Sequence, residues 1–295
     1  MLEFESLINI PTPVIEIFED FFLENNLKVF VKRDDLTHQH VSGNKFRKLK
    51  YNLLEAKKLG FDKILTFGGA YSNHIAAGAE AGSIFGFETI GIIRGDELTP
   101  NSNLTLQRAS GKGMKLQFVS REEYRNKDQI SQIYKKTHYI IPEGGSNILA
   151  LKGVSELLEE QEYPDYICTA VGTGGTMAGL ISNEGYRGKV LGVAVLKNAD
   201  FLKNDVADLL GSEFPLKGDL ETRFHFGGYA KYSENLLSFI RVFEEKHGIQ
   251  LDQVYTAKMI WAVYEKIKEG YFEKGSKIML LHTGGLQGRL NELFK

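Results

Sequence analysis

Ser42-Gly43-Asn44-Lys45 places a lysine at the junction of a turn and a helix pattern. Apolar residues recur behind it at Phe46, Leu49, Leu53 and Ala56, the spacing of one helix face. Lys48 lies one turn on from Lys45, and Arg47 and Lys50 lie close in the chain. A helix start and like-charged neighbours both favour the neutral amine, the form that attacks a carbonyl to make a Schiff base. Taken alone, the pattern suits a row of solvated lysines equally well.

Gly172-Thr173-Gly174-Gly175-Thr176 follows an apolar run and opens a second helix pattern. Glycines let a backbone approach a ligand closely, and a helix start offers free N–H groups to an anion. A small phosphate monoester fits such a loop; so does a plain strand-to-helix turn with no ligand. Neither standard nucleotide fingerprint is complete. Met177 stands where the dinucleotide motif needs its third glycine, and Ser276 stands where a P-loop started at Gly270 needs lysine.

These loops imply a scaffold that brings them together. Twelve of the 31 glycines fall in six short loops, around Gly43, Gly68-Gly69, Gly144-Gly145, Gly172 to Gly175, Gly227-Gly228 and Gly284-Gly285. Strand patterns cover 29–32, 63–66, 89–93, 115–119, 139–141, 166–171, 190–196 and 277–282. Helical patterns cover 45–58, 72–85, 102–110, 149–159, 176–182, 234–246 and 257–268. Continuous apolar runs such as Ile167-Cys168-Thr169-Ala170-Val171 suit strands buried on both faces. The alternation predicts an α/β fold with open, mostly parallel sheets and helices on both faces. Ligands of such sheets bind outside the carboxyl ends of the strands, where these loops lie. Residues 198–229 are the least regular and suit either a lid or a connection between sheets.

Composition narrows the function classes. With 36 basic and 38 acidic residues in 295, no basic field argues for nucleic acid or an anionic membrane. The single cysteine, Cys168, excludes a disulfide scaffold and suits a reducing, cytoplasmic setting. The first 13 residues carry two glutamates and no basic residue, unlike a secretory or mitochondrial leader, and no apolar stretch is long enough to span a bilayer. His38 and His40 lack the companions of a metal site, so no metal is expected. Cys168 reads as a core residue and Trp261 with Tyr264 as packing, whereas His282, ending a strand, is open to either role.

Taken together, S-G-N-K-F-R-K-L-K-Y, F-G-G-A-Y-S-N-H, P-E-G-G-S-N, G-T-G-G-T, V-Y-T-A-K and L-H-T-G-G resemble the 1-aminocyclopropane-1-carboxylate (ACC) deaminase/D-cysteine desulfhydrase family. These are pyridoxal-phosphate enzymes with the two-domain fold of the tryptophan synthase β-subunit, fold type II. The resemblance runs from about Pro11 to Gly285. It implies a large discontinuous domain of residues 1–47 and 148–295, a small inserted domain of 48–147, and a homodimer.

The resemblance also implies roles. Lys45 would carry the cofactor and later move the proton at the substrate α-carbon. Lys48 would hold the phosphate together with amides of Gly172, Thr173, Gly174, Gly175 and Thr176. Asn73 would bond the ring hydroxyl and Thr256 the ring nitrogen. Ser72, Asn73 and His74 would receive the substrate, with Ser72 able to relay a proton. Tyr229 and Tyr255 would line its pocket as hydroxyl groups. Thr256 after the tyrosine, Thr283 after the late histidine and His74 resemble the desulfhydrase branch. The implied reaction is thus α,β-elimination from a small amino acid such as D-cysteine, giving pyruvate, ammonia and sulfide. ACC deamination, or binding of pyridoxal phosphate without turnover, are the alternatives. Ser42, Tyr71 and Ala230 depart from the residues usual in the family, and each borders the expected substrate pocket.

Overall fold

The computed structural model describes residues 8–290 and 293. The expectation that the first 13 residues are unlike a leader therefore falls partly outside the described residues. Ten strands run in chain order as β1 Val14–Ile17, β2 Lys28–Lys32, β3 Lys63–Gly69, β4 Glu88–Arg94, β5 Lys115–Val119, β6 Tyr139–Ile141, β7 Tyr166–Val171, β8 Lys189–Ala194, β9 Gly218–Glu221 and β10 Lys277–Leu281. Between them run α1 Asp20–Glu24, α2 Asn44–Lys58, α3 Asn73–Phe85, α4 Leu104–Gly111, α5 Arg121–Arg125, α6 Lys127–Tyr134, α7 Ile148–Ser155, α8 Gly175–Ser182, α9 Leu202–Leu210, α10 Glu234–His247 and α11 Thr256–Lys268.

The strands form two sheets. Six make one in the order β1-β2-β10-β7-β8-β9, parallel throughout except for β1 against β2. Four make the other, all parallel, in the order β5-β4-β3-β6. Every residue of β7 is buried, because helices cover both of its faces. Tyr166, Cys168 and Ala170 pack towards α10 and α11, while Ile167 and Val171 pack towards α7 and α8, the alternation a strand requires. Each fully buried aliphatic side chain contributes about 1.5–3 kcal/mol. Cys168 is such a core residue, and burial pushes its thiol up.

The smaller sheet is covered in the same way. The stripe Phe46, Leu49, Leu53 and Ala56 of α2 meets Ile64, Ala77, Ala81 and Ile141, as its helical spacing requires. Leu65, Phe67 and Ile92 point to the opposite face, against Tyr124 and α6. No helix among the described residues is long and apolar enough to cross a membrane.

Residues 198–229, the least regular stretch in the sequence, hold regular structure. They contain α9 and β9, and β9 pairs with β8 as the far edge of the larger sheet. Trp261 packs edge-on against Phe226 and Phe239, a core role.

Candidate active site

The carboxyl ends of β3, β4 and β7 open onto one cavity of about 400 Å³, bordered by Gly69, Arg94, Ala170 and Val171. Lys45 and Lys48 enter it from the first turn of α2. Gly43 makes this entry possible. Its φ of +61° suits glycine, and a Cβ there would lie 2.2 Å from the carbonyl oxygen of Thr283. The lysine-bearing turn and the loop after β10 thus touch backbone to backbone. Asn44 Nδ2 donates to Thr176 Oγ1 at 2.7 Å, tying the same helix start to the glycine-rich loop after β7.

Burial lowers Lys45 from 10.5 to about 8. The sequence had suggested a different cause. Arg47 and Lys50 do not crowd Lys45: Arg47 is drawn into a buried ion cluster with Asp34 and Glu160, and Lys50 pairs with Glu156 at 2.8 Å. Lys48 alone remains beside it. Lys48 is itself 2% exposed, and its ammonium donates to Gly144 O at 3.2 Å and Ser146 Oγ at 3.1 Å. Burial first, and the Lys45 charge second, hold Lys48 well below the ordinary lysine value.

The glycine-rich loop is shaped as a cradle. Gly174 caps α8 in the left-handed conformation, and a Cβ on Gly175 would lie 2.4 Å from Ser146 Oγ and 2.8 Å from Lys48 Nζ. Ser146 Oγ and Thr173 Oγ1 share a hydrogen bond of 2.7 Å. Backbone N–H groups at the start of α8, two hydroxyls and one lysine therefore converge where an anion would sit.

Across the cavity, Ser72 caps α3 and accepts from the Ile75 amide at 3.3 Å. Asn73 accepts from Gln287 Nε2 at its side-chain oxygen, which leaves its amide nitrogen as the donor towards the cavity. His74 borders the cavity too, and its Nδ1 is buried with no partner. Tyr229 Oη donates to Tyr71 O at 3.2 Å, and Tyr255 Oη donates to Tyr229 Oη at 3.4 Å. Burial raises both phenols, Tyr255 further because Tyr229 adjoins it.

Of the residues given a site role in the sequence, Thr256 does not border the cavity, and Ser42, Tyr71 and Ala230, expected beside the substrate pocket, do not line it either. The Thr256 hydroxyl donates to Asp252 Oδ1 at 2.7 Å and accepts from the Asp252 amide at 3.0 Å. The Asp252 carboxylate also accepts from the amides of Val254, Tyr255 and Thr256 at 2.8–2.9 Å. It thereby fixes the start of α11 and the position of Tyr255. His282 is structural as well: Nε2 donates to Gln250 O at 2.7 Å, and Nδ1 accepts from the Gly284 amide at 3.3 Å. His38 Nδ1 caps its own loop by accepting from the amides of His40 and Val41.

Several cavity residues carried no role in the sequence reading. Asn44, inside the S-G-N-K motif, and Ser146, inside P-E-G-G-S-N and next to the cavity-lining Lys48 and Thr173, show their use only once distant loops meet. Arg94, Lys127 and Glu143 line the mouth, and as single charged residues they resemble any solvated side chain.

Comparison with known proteins shows the family and the fold. The sequence pattern of the family described as "Pyridoxal-phosphate dependent enzyme" matches residues 6–284. A putative 1-aminocyclopropane-1-carboxylate deaminase of Thermotoga maritima is 36% identical, with 94% of this chain and 95% of the relative covered. The bifunctional D-cysteine desulfhydrase/1-aminocyclopropane-1-carboxylate deaminase of Arabidopsis thaliana, described as mitochondrial, is 31% identical over 96% of this chain and 78% of its own. The crystal structure of an ACC deaminase homologue superposes with a TM-score of 0.80 at 29% identity, covering 98% of this chain and 94% of the other.

Proposed function

Because this chain belongs to the pyridoxal-phosphate-dependent enzyme family and is a lyase or deaminase of the ACC deaminase/D-cysteine desulfhydrase type, we propose that it catalyses α,β-elimination from a small amino acid, D-cysteine foremost. The observation that carries this reading is the shared cavity. A lysine lowered to about 8 faces, across one space of about 400 Å³, a serine, an asparagine and two tyrosine hydroxyls.

The residues present fit pyridoxal phosphate. Glycine at 175 lets the backbone at the start of α8 come close to Ser146 and Lys48, where a Cβ would overlap both, and Lys48 supplies a charge stripped of water beside it. Lys48 and the amides of Gly172 to Thr176 would hold the phosphate, Lys45 would hold the cofactor covalently, and the Asn73 amide would bond the ring hydroxyl. The cofactor supplies an electron sink for the bond broken at the substrate α-carbon.

The protein's own groups do the rest. The Ser72 hydroxyl and the N–H groups at the start of α3 receive the substrate carboxylate at a helix N-terminus. Lys45 takes the α-proton, since a lowered lysine matches the pH at which it must both accept and return a proton. The Tyr255 and Tyr229 hydroxyls would face the departing β-substituent, and both stay protonated because burial raises them; to donate to it, each would turn from its bond to Tyr229 or to Tyr71 O. The Asp252 carboxylate positions Tyr255 through its backbone.

Pyruvate release from D-cysteine, L-cysteine, D-serine and ACC tests the assignment. Release from D-cysteine, lost in Lys45→Ala together with the visible absorption of the bound cofactor, is the expected result. Turnover of ACC without turnover of D-cysteine would overturn it in favour of the deaminase activity. A yellow protein that turns over none of the four would point to binding without catalysis.

A further inference from the structure

Arg94 ends β4 and is the register partner of Gly69 at the end of β3. Its guanidinium stands on a wall shared by the reaction cavity and a second, larger cavity of about 1010 Å³. Gly69, Asn73, Lys127, Glu143 and Tyr229 border both spaces, so the second adjoins the first. Tyr71 and Ala230, two of the residues unusual for the family, border the second cavity and not the first. A three-carbon amino acid needs no such annex.

The charges around the annex are unevenly matched. Glu143 is neutralised by Lys127 at 2.8 Å, and Glu97 by Arg121 at 3.3 Å. Arg94 is exposed and makes no hydrogen bond or ion pair among the described residues; the ring of Tyr124 lies 5.8 Å from it. A guanidinium so placed presents a planar fork that matches a carboxylate with two parallel hydrogen bonds.

We propose that the annex receives a leaving group that ends in a carboxylate, held by Arg94, so that the preferred substrate is a β-substituted alanine with an anionic tail. This rests on the elimination reading above and extends it from the reacting carbons to the departing group. With S-carboxymethylcysteine the α-proton goes to Lys45 and the Cβ–S bond breaks. The sulfur keeps the electron pair and takes a proton, leaving as thioglycolate. The remaining aminoacrylate adds one water and yields pyruvate and ammonia, so substrate plus water balances the three products.

Binding and turnover can be read separately. The holoenzyme is titrated calorimetrically with α-methyl derivatives of S-carboxymethylcysteine and of its neutral isostere S-carbamoylmethylcysteine, in both enantiomers. Neither derivative has an α-proton to lose. The anion is expected to bind about fivefold or more tightly than the amide, within the range of a charged hydrogen bond at a partly solvated site. Arg94→Gln is expected to bring that ratio close to one, and Arg94→Lys to leave part of it. A wild-type ratio near one, or a ratio unmoved in Arg94→Gln, would overturn the proposal. Pyruvate release from D-cysteine and from S-carboxymethylcysteine is measured alongside. D-cysteine turnover with no anion preference overturns the annex assignment alone. An anion preference with no pyruvate from any substrate overturns the elimination reading and the leaving-group assignment with it.

Discussion

His74 Nε2 lies 2.7 Å from Thr66 Oγ1, and the Thr66 hydroxyl gives its own hydrogen to Ile141 O at 2.9 Å. The threonine can therefore only accept from the ring, which fixes the proton of His74 on Nε2 and leaves Nδ1 a bare acceptor on the cavity side. Burial first, then the charges of Lys45 and Lys48, hold the imidazole well below its ordinary value of 6.5. Nitrogen-15 shifts of the His74 ring should accordingly show the neutral Nε2–H form, unchanged from pH 8 down to about 5.5. A titration midpoint near 6.5 would refute this. The unfolded chain takes up this proton below 6.5 and the folded chain does not, so stability falls as pH drops below that value. His74→Gln should flatten the slope in urea midpoints over the same range.

Lys45 gives the complementary prediction at higher pH. At about 8, roughly a tenth of the amine is neutral at pH 7, against about one part in 3,000 at the ordinary lysine value. The rate at which apoprotein binds pyridoxal phosphate covalently, followed by absorbance, should rise with pH and level off above about 8. A rate still climbing tenfold per unit at pH 9.5 would mean the lysine is not lowered. The folded value lies below the unfolded one, so the unfolded apoprotein binds more protons between about 8 and 10.5. Stability of the apoprotein should therefore rise with pH across that window.

How much of this was legible beforehand follows from where each signal resides. The buried strands and the stripe of α2 declare themselves through local periodicity, because β7 is covered on both faces and α2 on one. The edge strands do not. β1 is four residues, Val-Ile-Glu-Ile, interrupted by a glutamate and with only Ile17 buried, and β9 reads Gly-Asp-Leu-Glu, so neither carries a long apolar run. The helix α5 was missed for a similar reason, since four of its five residues are exposed, and α6 and α9 are short helices of eight and nine residues with few buried positions. Within the site, motif residues were recognisable because glycines and a lysine in fixed order are rare. The cause of the lowered Lys45 was not recognisable, because it is burial beneath loops distant in the chain and not the charge of Arg47, which instead finds Glu160 113 residues away. Nor does local sequence reveal that the Thr256 hydroxyl is committed to Asp252.

Gly175 bears on cofactor binding more than on folding. Alanine at this first residue of α8 should favour the helix by up to about 1 kcal/mol, yet its methyl group would lie 2.4 Å from Ser146 Oγ and 2.8 Å from Ser146 Cβ and Lys48 Nζ, so those side chains must shift. Gly175→Ala is expected to lower the unfolding free energy of the apoprotein by about 1–3 kcal/mol while leaving it folded. Its affinity for pyridoxal phosphate should fall by about tenfold or more, equivalent to about 1.4 kcal/mol. Equilibrium dialysis measures the affinity, and an unchanged value would show that the cradle is not the phosphate site.

The helix that carries Lys45 is anchored by charge as well as by packing. Arg47 Nη2 lies 2.7 Å from both Asp34 Oδ1 and Glu160 Oε1, and Lys32 Nζ lies 2.7 Å from Glu160 Oε2. Removing Arg47 leaves Glu160 with Lys32 but strands Asp34, whose remaining side-chain partners are the hydroxyls of Thr12 and Thr37. Arg47→Met should cost about 3–5 kcal/mol in urea unfolding, the cost of an uncompensated buried charge. Arg47→Met combined with Asp34→Leu should recover part of that loss, because the second replacement removes the stranded carboxylate itself. A single replacement costing less than about 1 kcal/mol would show that water reaches Asp34 once the guanidinium has gone. A double replacement no better than the single would place the loss in the packing of α2 against its neighbours instead of in the ion cluster.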